Sequence, residues 1–140
     1  MPEMTASPSD VVARAEEIID GRQLDRIGDV FHADVVNHSL APDRPAGIAG
    51  TEEYLRSDQA ARFAGERWGT RVELTDGDYV AHFGTRVGRW PGGSFLGINA
   101  PAGQYSRALA FIYRVDNGLI VERWAYRDDL AFLRQLGVSL

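Results

Sequence analysis

Few residues in this chain are equipped for acid–base or nucleophilic chemistry. There is no cysteine and no lysine; all fifteen basic residues are arginine. Thiol nucleophiles, disulfides, cysteine-ligated metal centres and lysine Schiff bases are therefore excluded. The three histidines, His32, His38 and His82, show neither HxH nor HExxH spacing, so no metal is expected. His38 is the candidate general base. It follows Asn37 on a strand with apolar Val35 and Val36, and a neutral imidazole with a pKa of about 6.5 suits proton abstraction near neutral pH. The plainer alternative is a histidine that orders a loop through a hydrogen bond. His32, at a helix end, suits the helix dipole. His82, on the opposite side of its strand from Phe83, reads as a surface or interface residue.

The second group is arginine on a hairpin. Residues 104–128 read QYSRALAFIYRV, DNG, LIVERWAYRD: two runs of β-type residues joined by Asn117-Gly118, a strong hairpin signal. With Asp116–Gly118 as the turn, Val115 faces Leu119, and the ladder continues as Tyr113–Val121, Phe111–Arg123, Leu109–Ala125 and Arg107–Arg127. Side chains alternate across a strand, so these residues share one face. Two arginines directly opposed on that face repel, and an acid, water or an anionic ligand must compensate them. Arg107, Arg123 and Arg127 are thus candidates to hold a carboxylate or steady an oxyanion. The structural alternative is a nearby acid, such as Asp58 or Glu66, reaching across from a helical layer.

The elements that must position these groups are legible in outline. Ser7-Pro8-Ser9-Asp10 opens a helix whose Val11, Val12, Ala15, Ile18 and Ile19 recur at helical spacing, with Gly21 as its stop. A short helix with Leu24, Ile27, Val30 and Phe31 follows, then a strand over Asp34–Ser39. A third helix runs from Thr51 towards Ala64, and Gly65–Gly69 is a connector holding Trp68. Strands are expected at Arg71–Thr75 and Tyr79–Arg89, then a Gly/Pro-rich loop, the hairpin, and a last helix capped by Asp128 or Asp129 with Leu130, Leu133 and Leu136 inward. Helices gathered before a run of antiparallel strands predict an α+β fold, with helices on one face of a curved sheet and a conical cavity between the layers. One domain over 7–140 with a loose tail at 1–6 suits the length. The net charge of −5 argues against nucleic acid. No signal peptide or membrane span is visible, so a soluble cytoplasmic protein is expected.

The order of elements, with VFHADVVNHS, GGSFLGINAPAGQ and DNGLIVERWAYRDDLAFLRQLG, resembles the SnoaL-like polyketide cyclases, or ester cyclases, of the nuclear transport factor two-like superfamily. The resemblance spans about Val11 to Gly137. It implies a cone-shaped fold whose pocket face carries His38, Phe83, Thr85 and Val87 beside the hairpin's Arg107, Leu109, Phe111, Arg123, Ala125 and Arg127. It also implies cofactor-independent, aldol-type ring closure of a hydrophobic or polycyclic carbonyl compound, with His38 as base and the arginines on the enolate. Phe83, Phe111, Trp68 and Tyr54 would make the pocket flat and apolar, although such aromatics are commonly plain core. The family's acid–base aspartate falls at Ala125. That departure keeps two alternatives open: a hydroxylase- or isomerase-type enzyme, and a non-catalytic binding protein. On the hairpin's other face Ile112, Trp124 and Tyr126 predict a homodimer, since relatives pair through that face.

Overall fold

A computed structural model describes residues 6–140; most of the expected tail, residues 1–5, lies outside the described residues. The chain runs through helix α1 (Pro8–Asp20), a 3-10 helix (Leu24–Asp29), strand β1 (Phe31–Asn37) and helices α2 (Ile48–Leu55) and α3 (Asp58–Ala61). Strands β2 (Arg67–Asp76), β3 (Tyr79–Trp90), β4 (Gly93–Phe95), β5 (Ile98–Ala100), β6 (Gly103–Asp116) and β7 (Leu119–Arg127) precede helix α4 (Asp129–Gln135). The main sheet has the order β1-β7-β6-β3-β2, with β1 parallel to β7 and the other pairs antiparallel. The fold is α+β, with helices packed on a curved mixed sheet. Among the described residues no helix is long and apolar enough to cross a membrane.

Local chemistry explains the elements. Ser7 Oγ accepts from Asp10 N at 3.1 Å and caps α1, while Val11, Val12, Ala15 and Ile18 face a core shared with Phe31, Val35, Val80, Tyr113 and Ile120. A second cluster joins Trp90, Phe95, Tyr105, Phe132, Leu133 and Leu136 at the other end. On α4, Phe132 points inward and Leu130 is exposed, the reverse of the expectation for Leu130.

Other expectations need correcting. The helix expected over residues 51–64 is broken, because Ser57 caps a new helix through its hydroxyl. Trp68 lies in β2 rather than in a connector, and the Gly/Pro-rich loop contains the small β4–β5 hairpin. The long hairpin turns tightly on Asn117 and Gly118, at φ 48° and 76°, the left-handed pair suited to such a turn. Asp116 therefore faces Leu119, and a bulge at Val121 shifts the register again. Phe111 faces Ala125 and Leu109 faces Arg127. Beyond the bulge the net slip of two residues keeps the side chains on their expected face, whereas before it Ile120 takes the place expected for Leu119 beside Val115 in the core.

Candidate active site

A cavity of about 110 Å³ lies between α1, the α2–α3 segment and the inner face of the sheet. Its wall includes Glu16 and Asp20 from α1, Tyr54 and Phe63 from the helical layer, Glu66, and Arg86, Arg107, Phe111, Tyr113, Arg123 and Arg127 from the sheet. An apolar cavity of about 150 Å³ takes up benzene. One ring therefore fills this space, and a polycyclic compound would place only one end in it.

The buried charges are organised around Glu66. Arg86 and Arg107 are register partners on β3 and β6, so the opposed arginine pair is this one and not Arg107–Arg127. Glu66 Oε1 accepts from Arg86 Nε at 2.8 Å and from Arg107 Nη2 at 3.0 Å; its Oε2 accepts from Arg107 Nε at 2.8 Å and from the Tyr105 hydroxyl at 2.6 Å. Burial alone would raise the Glu66 pKa, but the bonds from Arg107, Tyr105 and Arg86 outweigh it and hold the carboxyl below its ordinary range. Burial and the Glu66 carboxylate raise the Tyr105 pKa. Arg107 also lies over Phe63 at 3.9 Å, and its Nη1 is buried with no hydrogen-bond partner among the described residues.

Arg123 and Arg127 differ from Arg107. Neutral groups hold Arg123: Ser39 Oγ at 3.2 Å from Nη1, and the faces of Phe111 and Tyr113 at 4.9 and 5.7 Å. Its buried Nε lacks a hydrogen-bond partner among the described residues. Arg127 Nη1 donates to the Tyr54 hydroxyl at 3.2 Å, and Asp129 is 3.9 Å from its Nε. Arg123 is therefore a partly buried cavity cation with no ion-pair partner among the described residues.

The structure thus gathers Tyr54, Arg107, Phe111, Arg123 and Arg127 in one wall, with Trp68 behind it, 6.0 Å from the Phe111 ring. Two expected residues stand elsewhere. His38 follows β1 on the outer face, stacked on Trp124 at 4.8 Å, with its Nε2 2.7 Å from Glu122 Oε2. Asn37 faces Arg123 and Val36 faces Glu122, so alternation carries His38 away from the cavity. It cannot reach a compound bound there as a base. Phe83 is likewise outside, 39% exposed, because the inner face of β3 carries Val80, His82 and Arg86.

His82 is the functional candidate that sequence reasoning missed. It is buried, its Nδ1 lies 2.6 Å from Glu16 Oε1, and its Nε2 lies 3.1 Å from Glu73 Oε1. Burial lowers its pKa, but the two carboxylates more than offset this and the net direction is upward. Glu66, expected as an acid that could reach the hairpin arginines, does hold Arg107, whereas Glu16 and Arg86 were also missed. Their partners lie far away in sequence, and no local pattern marks them.

Residues 9–136 match the sequence pattern of the SnoaL-like polyketide cyclase family. The fold is similar to that of wild-type IdmH from Streptomyces antibioticus, with a TM-score of 0.74, 26% identity and coverage of 95% of this chain and 100% of the other. TsrD from Streptomyces laurentii superposes with a TM-score of 0.75 at 23% identity, covering 97% and 98% of the two chains. A SnoaL-like polyketide cyclase from Agrobacterium tumefaciens gives 0.75 at 18% identity, covering 94% and 99%. No curated protein is significantly similar in sequence.

Proposed function

The chain belongs to the SnoaL-like polyketide cyclase family, and from that premise we propose that it enolises a small carbonyl compound and closes a ring by intramolecular aldol-type attack, without a cofactor. The observation that carries this reading is the cation-rich wall of a ring-sized cavity. Arg123, with Arg107 Nη1, offers buried donors to an enolate oxygen or a carboxylate, while Phe111 and Phe63 supply apolar surface. Such donors are worth more in a dry site than in water, because the surroundings screen charge less. The ring enters this end and the rest of a larger substrate extends beyond it.

Phenylpyruvate is a suitable probe: one ring, a ketone flanked by an acidic CH2, and a carboxylate. The protein is expected to accelerate exchange of its benzylic hydrogens in D2O above a protein-free blank, with saturation. Arg123→Met is expected to weaken saturation about tenfold or more, because a hydrogen bond to a charged group contributes about 1.5–3 kcal/mol. No acceleration by the wild-type protein would overturn the enolisation reading. Saturable binding without exchange would favour the binding-protein alternative, which Ala125 on the inner face also suits.

The outer face of the sheet supports a homodimer. Val72, Leu74, Tyr79, Phe83 and Tyr126 are exposed there, and a contiguous apolar patch of that kind marks an interaction surface. Sedimentation velocity is expected to show a dimer at micromolar concentration, and Phe83→Glu with Tyr126→Glu is expected to shift it to monomer. A wild-type monomer across that range would remove the dimer from the picture.

A further inference from the structure

Glu16 and His82 form an acid–base pair on the side of the cavity contributed by α1 and β3. Glu16 lines the cavity with its side chain 12% exposed. Both nitrogens of His82 are committed, Nδ1 to Glu16 and Nε2 to Glu73, whose Oε1 also accepts from Ser9 Oγ at 2.6 Å. Turning the imidazole would break bonds to both carboxylates, so it is locked, and it locks Glu16 Oε1 in turn. The other oxygen, Oε2, has capacity left. Its contacts are long: Trp68 Nε1 at 3.4 Å and Arg71 Nη1 at 3.6 Å.

We infer that Glu16 is the proton acceptor of this cavity and that His82 is the residue that positions it. The inference rests on the enolisation reading above. The C–H bond beside the carbonyl breaks and its proton goes to Glu16. The electron pair becomes the C=C of the enolate, and the carbonyl π pair moves onto the oxygen facing Arg123. The enolate carbon then attacks a second carbonyl of the same molecule, and the new alkoxide takes the proton back from Glu16. Nothing is oxidised or reduced and no co-reactant is consumed. A carboxylate on α1 thereby supplies what Ala125 on β7 cannot.

The phenylpyruvate exchange assay separates the two levels. Glu16→Gln keeps an oxygen for the His82 Nδ1–H, so the tie between α1 and the sheet persists while the base is lost. Its exchange kcat is expected to fall about a hundredfold or more, as general-base catalysis contributes 10²–10⁴-fold, with KM within about threefold of wild type. Glu16→Asp, which keeps a carboxylate, is expected to retain more activity than Glu16→Gln. His82→Asn is expected to lower kcat about tenfold at unchanged KM; a merely structural tie would instead lower the melting temperature without moving kcat. Wild-type exchange by Glu16→Gln overturns the assignment and leaves enolisation standing. A wild-type protein no better than the blank overturns both. Should Glu16→Gln fail to fold, Glu16→Asp decides: an undiminished kcat refutes the role, and a tenfold drop at constant KM supports it.

Discussion

Glu66→Ala is expected to destabilise the fold by about 3–5 kcal/mol, the range seen when one partner of a buried ion pair is removed. The side chains of Glu66, Arg86 and Arg107 are 5%, 6% and 6% exposed. Deleting the carboxylate leaves two opposed guanidiniums with only the half-exposed Asp20, 2.9 Å from Arg86, to compensate them. Domains of this size are stable by about 5–15 kcal/mol, so the loss is a large share of the total. Replacing all three residues by apolar ones of similar volume is expected to cost less than Glu66→Ala, since desolvation is then relieved as well as attraction lost. Urea unfolding of the variants measures both. A Glu66→Ala penalty below about 1 kcal/mol would show that water reaches the cluster.

The same cluster sets an acid dependence. The folded-state pKa of Glu66 lies below the ordinary carboxyl value of 4.5, so its stabilisation is fully present above that value. It is lost as pH falls through the lower folded-state value, because the unfolded chain then binds the proton more readily. Glu66→Ala is therefore expected to show a flatter stability profile below about pH 4.5.

What the sequence revealed follows from where each signal resides. The hairpin's faces were legible because Arg107, Phe111, Arg123 and Arg127 alternate with Ala108, Ala110, Trp124 and Tyr126. Parity survived beyond the bulge even though the turn was shorter, since two single-residue slips add to an even shift. Strand β3 gave no such signal. Phe83 and Val87 imitate an inward apolar face, whereas the inward His82 and Arg86 look like surface residues until Glu16 and Glu66 are placed beside them. Those partners are 66 and 20 residues away, and no local pattern predicts such a meeting. The break between α2 and α3 was legible in principle. Ser57-Asp58 is itself a cap signal inside an otherwise helical run.

His38 shows the limit of carrying a role across by resemblance. Its residue type suited a base, but β1 already begins at Phe31 and turns Val35 and Asn37 towards the sheet's inner side, leaving His38 with Val36 outside. Beside Trp124 and Glu122 it belongs to the outer surface. The proton-transfer question therefore moves from the hairpin and its neighbour β1 to the helical layer.

Phe132→Ala is expected to cost about 3–5 kcal/mol, the usual range for truncating a buried phenylalanine. Phe132 is fully buried, with Phe63 and Trp90 each at 5.6 Å and Phe95 and Tyr105 each at 5.0 Å between ring centroids. Four rings lose a neighbour at once, and they come from β3, β4, β6 and the segment after α3, so no single element can move to fill the gap. Leu130→Ala, on the exposed side of the same helix, is expected to change stability by no more than about 0.5 kcal/mol. The effect should also reach the cavity. Phe63 carries the Arg107 guanidinium on its face, and Tyr105 donates to Glu66. Phe132→Ala and Glu66→Ala are therefore expected to be non-additive by at least about 0.5 kcal/mol in a double-mutant cycle. Strict additivity in urea unfolding would mean that the aromatic cluster and the ion cluster are independent, and that α4 holds the end of the fold without tuning the arginine wall.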